Sequence, residues 1–219
     1  MHARLTITVV LDLDGTLLDV RPRHFECHRR VMATLGLQPL SSTLYWRRKR
    51  CGLPTHRVLG LGIGDRLCRS YDRAFIESIE HPELLSLDAP LPGIIDWLRR
   101  VSSLDAQLIV ATARRDYGVT AAQVNNLGLS PDRLVICDSE RPKQQGVQSI
   151  TRSRPAAWIG DTEVDMAAAQ AIGARAIGVS SGLRNESVLR AAGAEVVSRS
   201  LAGVQLETLS RTSTRDCPE

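Results

Sequence analysis

The chain contains 219 residues, of which 43% are hydrophobic and 24% charged, and its formal net charge is +4. This length predicts one domain, or one domain that carries a sizeable insertion. The composition is that of a globular protein with its own core, and it excludes a disordered polymer, a collagen-like repeat and an acidic solvating tail. Aromatic residues make up only 4% of the chain, which disfavours a stacking platform for nucleic acid.

The N-terminal segment and the cysteines predict a cytoplasmic protein. The apolar run near the N-terminus reaches Asp12 too soon for a secretory signal, and no window is long and apolar enough for a membrane span. The five cysteines are scattered, odd in number and never spaced as C-x-x-C. We therefore expect reduced thiols rather than a disulfide framework or a zinc site, and no membrane partner.

Short β-branched runs alternate with helical patterns along most of the chain. The predicted strands are residues 5–13, 108–112, 134–137, 157–160, 174–179 and 195–197. The helical patterns between them cover residues 94–101, 117–127, 163–172 and 185–192. This alternation predicts an α/β fold with a three-layer, Rossmann-like core, in which helices cover both faces of a parallel sheet.

One long interval interrupts the alternation. Between the first two predicted strands the chain shows only helical patterns, at residues 24–35, 42–51, 55–61 and 65–79. A crossover to the next parallel strand needs far fewer residues than this interval holds. We therefore predict a helical cap over 20–88 inserted after strand one, a core made of 1–19 and 89–207, and a disordered tail over 208–219.

Two aspartates stand at the carboxyl end of the first predicted strand. The period of two places Asp12 and Asp14 on the same side of this strand. Paired carboxylates repel each other unless a cation balances them, so the arrangement is unfavourable as structure but useful as chemistry. One carboxylate can attack phosphorus while the other moves protons. The alternative is an acidic turn, because Asp-Gly is a common turn pair and Gly15 follows Asp14.

A second acidic cluster follows the strand predicted over 157–160. Asp161 leaves this strand, and Asp165 lies one helical turn later on the same face. Asp161 together with Asp12 and Asp14 would supply the hard oxygen ligands that suit Mg²⁺. Taken alone, Asp161 and Asp165 fit a helix start equally well, because acidic residues favour the positive end of a helix.

A hydroxyl and an ammonium complete the set. Thr112 ends the strand predicted over 108–112, and Lys143 begins the helix that precedes the Asp161 strand. Each is unremarkable in isolation, as a strand-end threonine or a surface lysine. All of these residues, however, belong to the carboxyl edge of one parallel sheet, which is where open α/β sheets bind ligands. There Thr112 can donate to a phosphate oxygen, and Lys143 can neutralise its charge.

The motifs around Asp12, Thr112, Lys143 and Asp161 together resemble those of the haloacid dehalogenase superfamily. The resemblance runs from residue 5 to about 206, and it is to phosphatases with a helical cap after strand one, of the phosphoglycolate phosphatase-like group. It implies that Asp12 is a nucleophile that forms an aspartyl-phosphate and that Asp14 is the acid and base. Dehalogenating and phosphonate-cleaving members lack an acid at the position of Asp14, so its presence indicates phosphate esters.

The resemblance also implies the remaining roles. Thr112, Ala113 and Lys143 would bind the phosphoryl oxygens of the substrate. Mg²⁺ would be held by Asp12, by Asp14 through its backbone carbonyl and by Asp161, with Asp165 supporting this shell. Arg114 stands where many capped relatives place Gly or Asn, and it would contact either the substrate or only the surface.

The predicted cap would close over the site and select the leaving group. It contains four consecutive cations that begin at Arg47, and these cannot all share one helix face. They are interpreted first as a solvated face. The alternative is that one of them, represented by Arg47, recognises a second acidic group on the substrate.

These observations predict a Mg²⁺-dependent phosphatase that acts on a small phosphorylated metabolite. One alternative is a sugar-phosphate mutase on the same scaffold, which returns the phosphoryl group to a sugar. Another is a non-catalytic, phosphate-binding regulatory protein, although such a protein would be free to lose the acids and the lysine. A nucleic-acid partner is not expected, because only the basic balance of the chain favours it.

Overall fold

The computed structural model describes residues 7–60, 64–104, 106–137 and 142–210. Its strands are β1 (Ile7–Leu11), β2 (Leu18–Asp19), β3 (Ala89–Pro90), β4 (Ala106–Thr112), β5 (Arg133–Ile136), β6 (Ala157–Gly160), β7 (Arg175–Val179) and β8 (Val196–Ser198). Six of them form one parallel sheet in the order β5-β4-β1-β6-β7-β8. The predicted α/β fold with a parallel sheet is confirmed.

Helices connect the strands. They are α1 (Arg21–Thr34), α2 (Ser42–Arg50), α3 (Thr55–Leu59), α4 (Asp65–Ser78), α5 (Pro82–Leu85), α6 (Ile94–Ser102), α7 (Tyr117–Asn126), α8 (Lys143–Gln148), α9 (Glu163–Ala171), α10 (Glu186–Ala191) and α11 (Glu207–Ser210), with a 3-10 turn at Leu201–Gly203. The sequence patterns did not predict the four-residue helices α5 and α11. Among the described residues, no helix is long and apolar enough to cross a membrane.

The sheet is buried on both faces because the side chains of its central strands alternate between two apolar clusters. Val9 and Leu11 of β1 pack on the face covered by Trp97 of α6. Val10 points the other way, into a cluster with Trp158 of β6 and Met166 of α9. Each fully buried aliphatic side chain of this kind contributes about 1.5–3 kcal/mol. This two-sided burial explains why the strands appear as continuous apolar runs.

The strand order reverses beside β1. The chain runs from β1 to β4 and β5 on one side, and then crosses to β6, β7 and β8 on the other. Val9 pairs in parallel with Leu108 of β4 and with Ala157 of β6, which fixes the register of the three central strands. Their carboxyl ends therefore meet at one edge, at the crossover point where ligands bind in this class of sheet.

Helices α1 to α5 fill the interval between β1 and β4. They have an apolar cluster of their own, which includes Cys27, Val31, Tyr71 and Leu84. The chain enters and leaves this helical insertion through a two-residue antiparallel ladder, in which β2 pairs with β3. Whether residues 20–88 are a separate cap domain and 1–19 with 89–207 a core remains a prediction.

Near the C-terminus, helix α11 extends beyond the predicted boundary of the core. Leu209 of α11 is buried, so the predicted tail cannot begin at 208, because residues 208–210 belong to a helix that packs on the core. The rest of that tail, residues 211–219, lies outside the described residues. So do residues 5 and 6 of the first predicted strand and residue 61 of the third predicted cap helix.

Candidate active site

A cavity of about 340 Å³ opens at the carboxyl ends of β1, β4 and β6. Seven of the residues singled out in the sequence line it, namely Asp12, Asp14, Thr112, Ala113, Arg114, Lys143 and Asp161. A larger groove of about 520 Å³ lies beside β5, between α7 and α8, and its lining includes none of these seven. The structure thus brings the predicted residues together in the smaller cavity.

The turn after β1 presents Asp12 and Asp14 to this cavity. The Asp12 N–H donates to the Ile159 carbonyl oxygen (2.9 Å), which extends the β1–β6 pairing by one residue. Gly15 then adopts a φ of +88°, a conformation that favours glycine, and the chain turns back toward β2. Burial raises the pKa of the Asp12 carboxyl to about 7, although the adjacent Lys143 ammonium lowers it.

Lys143 connects two of the carboxylates. Its Nζ lies 2.5 Å from Asp12 Oδ1 and 2.7 Å from Asp165 Oδ1, and all three side chains are buried. Burial disfavours the charged ammonium, but the two carboxylates outweigh it and raise the pKa of Lys143. The lysine therefore stays charged within the cavity, as its predicted role requires.

Asp161 and Asp165 differ in how their oxygens are used. Asp165 Oδ1 contacts Lys143, and its Oδ2 accepts hydrogen bonds from the N–H (3.2 Å) and hydroxyl (2.6 Å) of Thr162. Asp161 Oδ2 accepts the Leu183 N–H (2.6 Å), whereas its Oδ1 is buried without a hydrogen bond to any described residue. Asp161 thus has a carboxylate oxygen that is available to a ligand, whereas both oxygens of Asp165 are used to position Lys143 and the start of α9.

This acidic cluster fits a divalent cation. Ligand atoms of Asp12, Asp161 and Asp165 lie within 4.8 Å of one another. The Lys143 ammonium contacts only two of these three carboxylates. Burial together with Asp12 and Asp165 raises the pKa of the third, Asp161, well above its usual value. A further cation would relieve this cost, because it stabilises the ionised form of both Asp12 and Asp161. The unbonded Oδ1 of Asp161 supplies the ligand atom.

Asp14 faces two arginines instead. Its Oδ2 lies 2.8 Å from Arg23 Nη2 and its Oδ1 2.6 Å from Arg114 Nη2. The same two guanidinium groups contact Asp88, at 3.0 Å each. Burial opposes ionisation of Asp14, yet the arginines hold its pKa well below the usual range. Both of its carboxylate oxygens are therefore engaged by arginines, which is compatible with the resemblance, where Asp14 would serve a metal through its backbone carbonyl.

Thr112 and Ala113 form the third side of the cavity. Thr112 is the last residue of β4 and is buried, and both residues line the cavity. The next helix does not begin beside them, because α7 starts only at Tyr117, after Asp116 has capped it. Arg114 occupies the intervening loop, where it is buried against Asp14 rather than exposed at the surface.

Arg47 is not brought to the cavity. It is exposed on α2 and does not line the site. Its neighbours do not form a purely solvated face either, because Arg48 donates to the Val58 carbonyl (2.8 Å) and Arg50 to the Ser180 carbonyl (2.6 Å). The alternative, in which Arg47 recognises a second acidic group on the substrate, has no support in this position.

Sequence reasoning did not identify three residues that shape the site. Arg23 and His24 of α1 line the cavity, and Asp88 joins Arg23 to Arg114. The one available signal was the position of Arg23 and Asp88, each of which lies close to an end of the predicted cap. An arginine or an aspartate in a polar stretch of sequence does not by itself indicate a role in the site.

Comparison with known proteins supports the family that the sequence motifs indicate. A family model described as haloacid dehalogenase-like hydrolase matches residues 8–173, and a second, HAD-hydrolase-like model matches residues 145–203. No curated protein sequence matches the chain.

Solved structures share the fold at low sequence identity. A haloacid dehalogenase-like family hydrolase from Streptococcus pneumoniae has a TM-score of 0.71 at 20% identity, over 90% of this chain and 95% of that one. A predicted phosphatase from Clostridium acetobutylicum has a TM-score of 0.69 at 20% identity, over 89% of this chain and 94% of that one. A predicted phosphoglycolate phosphatase from Haemophilus somnus has a TM-score of 0.67 at 14% identity, over 91% of this chain and 96% of that one. At these identities the likeness establishes the fold.

Proposed function

Because the chain belongs to the haloacid dehalogenase-like hydrolase family, we propose that it is a Mg²⁺-dependent phosphatase that hydrolyses a small phosphomonoester metabolite. The observation that carries this proposal is the buried contact between Asp12 and Lys143 at the carboxyl end of β1. A carboxylate held beside an ammonium in a cavity is placed to attack a phosphoryl group, whose charge the same ammonium would bind.

The reaction proceeds in two steps. A carboxylate oxygen of Asp12 attacks phosphorus, and the bond between phosphorus and the ester oxygen breaks. Asp14 takes up a proton once its carboxyl group leaves the two arginines that favour its ionised form, and it gives this proton to the departing alcohol. Asp14 then takes a proton from water, and the resulting hydroxide attacks the aspartyl-phosphate to release inorganic phosphate and regenerate Asp12. The same carboxyl group thus acts as general acid in the first step and as general base in the second.

The remaining residues bind the phosphoryl oxygens. Lys143 supplies a permanent positive charge, the Thr112 hydroxyl supplies a donor, and the Ala113 backbone N–H supplies another. Asp165 keeps the lysine in place through its 2.7 Å contact. Together they favour the transition state, in which negative charge on the transferred group is spread over its oxygens.

Asp12, Asp161 and the Asp14 backbone carbonyl would hold the Mg²⁺. When bound, the ion neutralises charge on the phosphoryl group and on the paired carboxylates. A sugar-phosphate mutase remains the alternative, since it would use the same two aspartates but return the phosphoryl group to a sugar. Its product would be an isomerised sugar phosphate instead of inorganic phosphate.

The test is hydrolysis of a panel of phosphorylated metabolites with and without Mg²⁺, by wild type and by Asp12→Asn. We expect phosphate release that requires Mg²⁺, and a loss of at least about 10³-fold in kcat for Asp12→Asn, as for removal of other catalytic nucleophiles. Asp96→Asn, at an exposed position on α6, is the matched control and should retain full activity. Undiminished hydrolysis by Asp12→Asn would refute the assigned nucleophile, and an isomerised product without phosphate would favour the mutase.

A further inference from the structure

Two buried arginines face each other across Asp14. Arg23 comes from the first turn of α1 in the helical insertion, and Arg114 from the loop after β4. Their exposed fractions are 1% and 2%, and both line the cavity that holds Asp12 and Lys143. A guanidinium group is seldom buried in this way without a carboxylate or phosphate to bind, because its planar donors match those anions.

The charges of this cluster balance only while Asp14 stays between the arginines. Arg23 and Arg114 carry two positive charges, and Asp14 and Asp88 carry two negative ones. To reach the leaving oxygen of an ester bound at Asp12, the Asp14 carboxylate must turn away from the guanidinium groups. The pair would then keep a net positive charge with only Asp88 beside it, and an uncompensated buried charge is costly.

One polar atom beside this cluster has no partner. The neighbouring His24 is 92% buried and lines the same cavity, and its Nδ1 has no hydrogen-bond partner among the described residues. This ring nitrogen therefore lacks the partner that a buried polar atom normally has.

We propose that the Arg23–Arg114 pair is a second anion subsite, which binds a carboxylate or second phosphate on the alcohol part of the substrate in place of the Asp14 carboxylate. This proposal rests on the phosphatase function, and it names the substrate class as small phosphomonoesters with a second anionic group. The incoming anion restores the charge balance of the pair. Asp14 is thereby released toward the leaving oxygen. Away from the two guanidinium groups its carboxylate can take up a proton from water, so that binding of the correct substrate also delivers the acid.

The wild-type protein provides the first test. Phosphate monoesters of glycolate and of 3-hydroxypropionate are compared with their primary amides, and ethylene glycol bisphosphate is compared with the monophosphate. A site built around a charged group discriminates strongly against its neutral analogue. We expect kcat/KM at least about 100-fold higher for the anionic member of at least one pair. Equal kcat/KM values within every pair would overturn the proposal.

Variants then assign the preference to the arginines. Arg23→Gln should reduce the anionic-to-neutral ratio of kcat/KM to less than about 5-fold, and Arg23→Lys should recover part of it, since a lysine keeps the charge but loses the planar fork. The ratio is measured within each protein, so a partial loss of folded protein cancels. Arg29→Gln, an exposed arginine of the same helix, is the matched control and should keep the wild-type ratio. A wild-type ratio in Arg23→Gln would also overturn the proposal.

Binding of an inert ligand separates this proposal from the phosphatase function. The phosphonate analogue of the glycolate ester, in which a methylene replaces the ester oxygen, and its amide are titrated into wild type and Arg23→Gln by calorimetry. We expect the acid to bind wild type at least about 10-fold more tightly than the amide, and both to bind Arg23→Gln equally, because the charge-assisted contact is absent. If no ester is hydrolysed but this difference persists, only the phosphatase function fails. Equal binding of acid and amide to wild type refutes the subsite.

Discussion

Among individual residues, Asp161 is closely held by its surroundings. Gly15 and Gly182 pack against its carboxyl group, and a Cβ added at Gly182 would lie 1.9 Å from Asp161 Oδ2. The Leu183 N–H fixes that same oxygen at 2.6 Å. These contacts leave Oδ1 directed into the acidic cluster, because the carboxylate has no room to turn. The two glycines therefore set the orientation of a candidate metal ligand.

We expect Gly182→Ala to weaken Mg²⁺ binding at least about 10-fold, as for loss of other groups that orient a metal ligand. The added methyl group would overlap Asp161 Oδ2, so the carboxylate would have to leave the position in which it is now held. The Mg²⁺ concentration for half-maximal phosphatase activity, and the rise in Tm on adding Mg²⁺, both measure this effect. Gly64→Ala is the matched control, because no atom lies within 4 Å of a Cβ at Gly64. Equal Mg²⁺ dependence of the two variants would contradict the role of Gly182.

Within the helical insertion, His28 joins three elements of structure. Its Nε2 accepts the Leu40 N–H (3.1 Å), which places the ring proton on Nδ1, and Nδ1–H donates to Tyr71 Oη (2.9 Å). The ring also stacks on Tyr45, with a centroid distance of 4.5 Å. Burial, assisted by the charge of Lys49, lowers the pKa of His28 to about 4. A second proton would turn Nε2 into a donor that faces another donor.

The pH dependence of stability follows from this arrangement. Between about pH 6.5 and pH 4 the unfolded chain binds a proton at His28 that the folded chain does not, so stability falls as the pH decreases through this interval. We expect the loss between pH 7 and pH 5 to be smaller in His28→Gln than in wild type by on the order of 1 kcal/mol. Urea unfolding at the two pH values measures it.

The exposed His56 provides the comparison. His56→Gln should reproduce the pH dependence of wild type, because this exposed substitution leaves the buried His28 unchanged. If His28→Gln and wild type lost the same stability on acidification, the buried neutral imidazole would not be the cause.

In the whole molecule, the insertion meets the core mainly through polar contacts. Arg50 donates to the Ser180 carbonyl (2.6 Å), the Asn185 N–H donates to the Arg50 carbonyl (2.9 Å), and Arg184 donates to the Lys49 carbonyl (3.3 Å). The chain crosses between the two parts only at the β2–β3 ladder, where Asp19 pairs with Ala89. The apolar clusters of the sheet and of the insertion contain different residues. These features favour independent folding of the sheet.

We expect a shortened chain, in which Asn-Gly replaces residues 21–87, to fold. Asp19 and Ala89 are already paired in an antiparallel ladder, and a two-residue Asn-Gly turn closes such a pair. Urea unfolding should show one cooperative transition in tryptophan fluorescence, because Trp97 and Trp158 remain in the core. The shortened chain should lose substrate preference together with Arg23. Full-length Trp46→Phe is the control, since it carries the same two tryptophans. A broad, non-cooperative transition would show that the sheet depends on the insertion.

Much of the sheet edge could be predicted from local patterns. Burial on both faces gives strands continuous apolar runs, and helices show their own period, so the order of strands and helices follows from short windows of sequence. Parallel strands end at a common edge of the sheet, and this rule by itself predicts that Asp12, Thr112 and Asp161 lie at one site. Strands β2 and β3 could not be predicted in the same way, because a strand of two residues is too short to show the alternation of apolar and polar side chains.

The cluster of Arg23, Asp88 and Arg114 could not be predicted in this way. These residues are far apart in sequence, and they meet only because the β2–β3 ladder returns the insertion to the core beside β4. Arg47, in contrast, belonged to a conspicuous run of cations, yet the packing of α2 leaves it outside the cavity. Local periodicity determines which residues are buried and which strand ends carry acids. Partners across long separations depend on how the elements pack, and that packing places a pair of arginines beside Asp14.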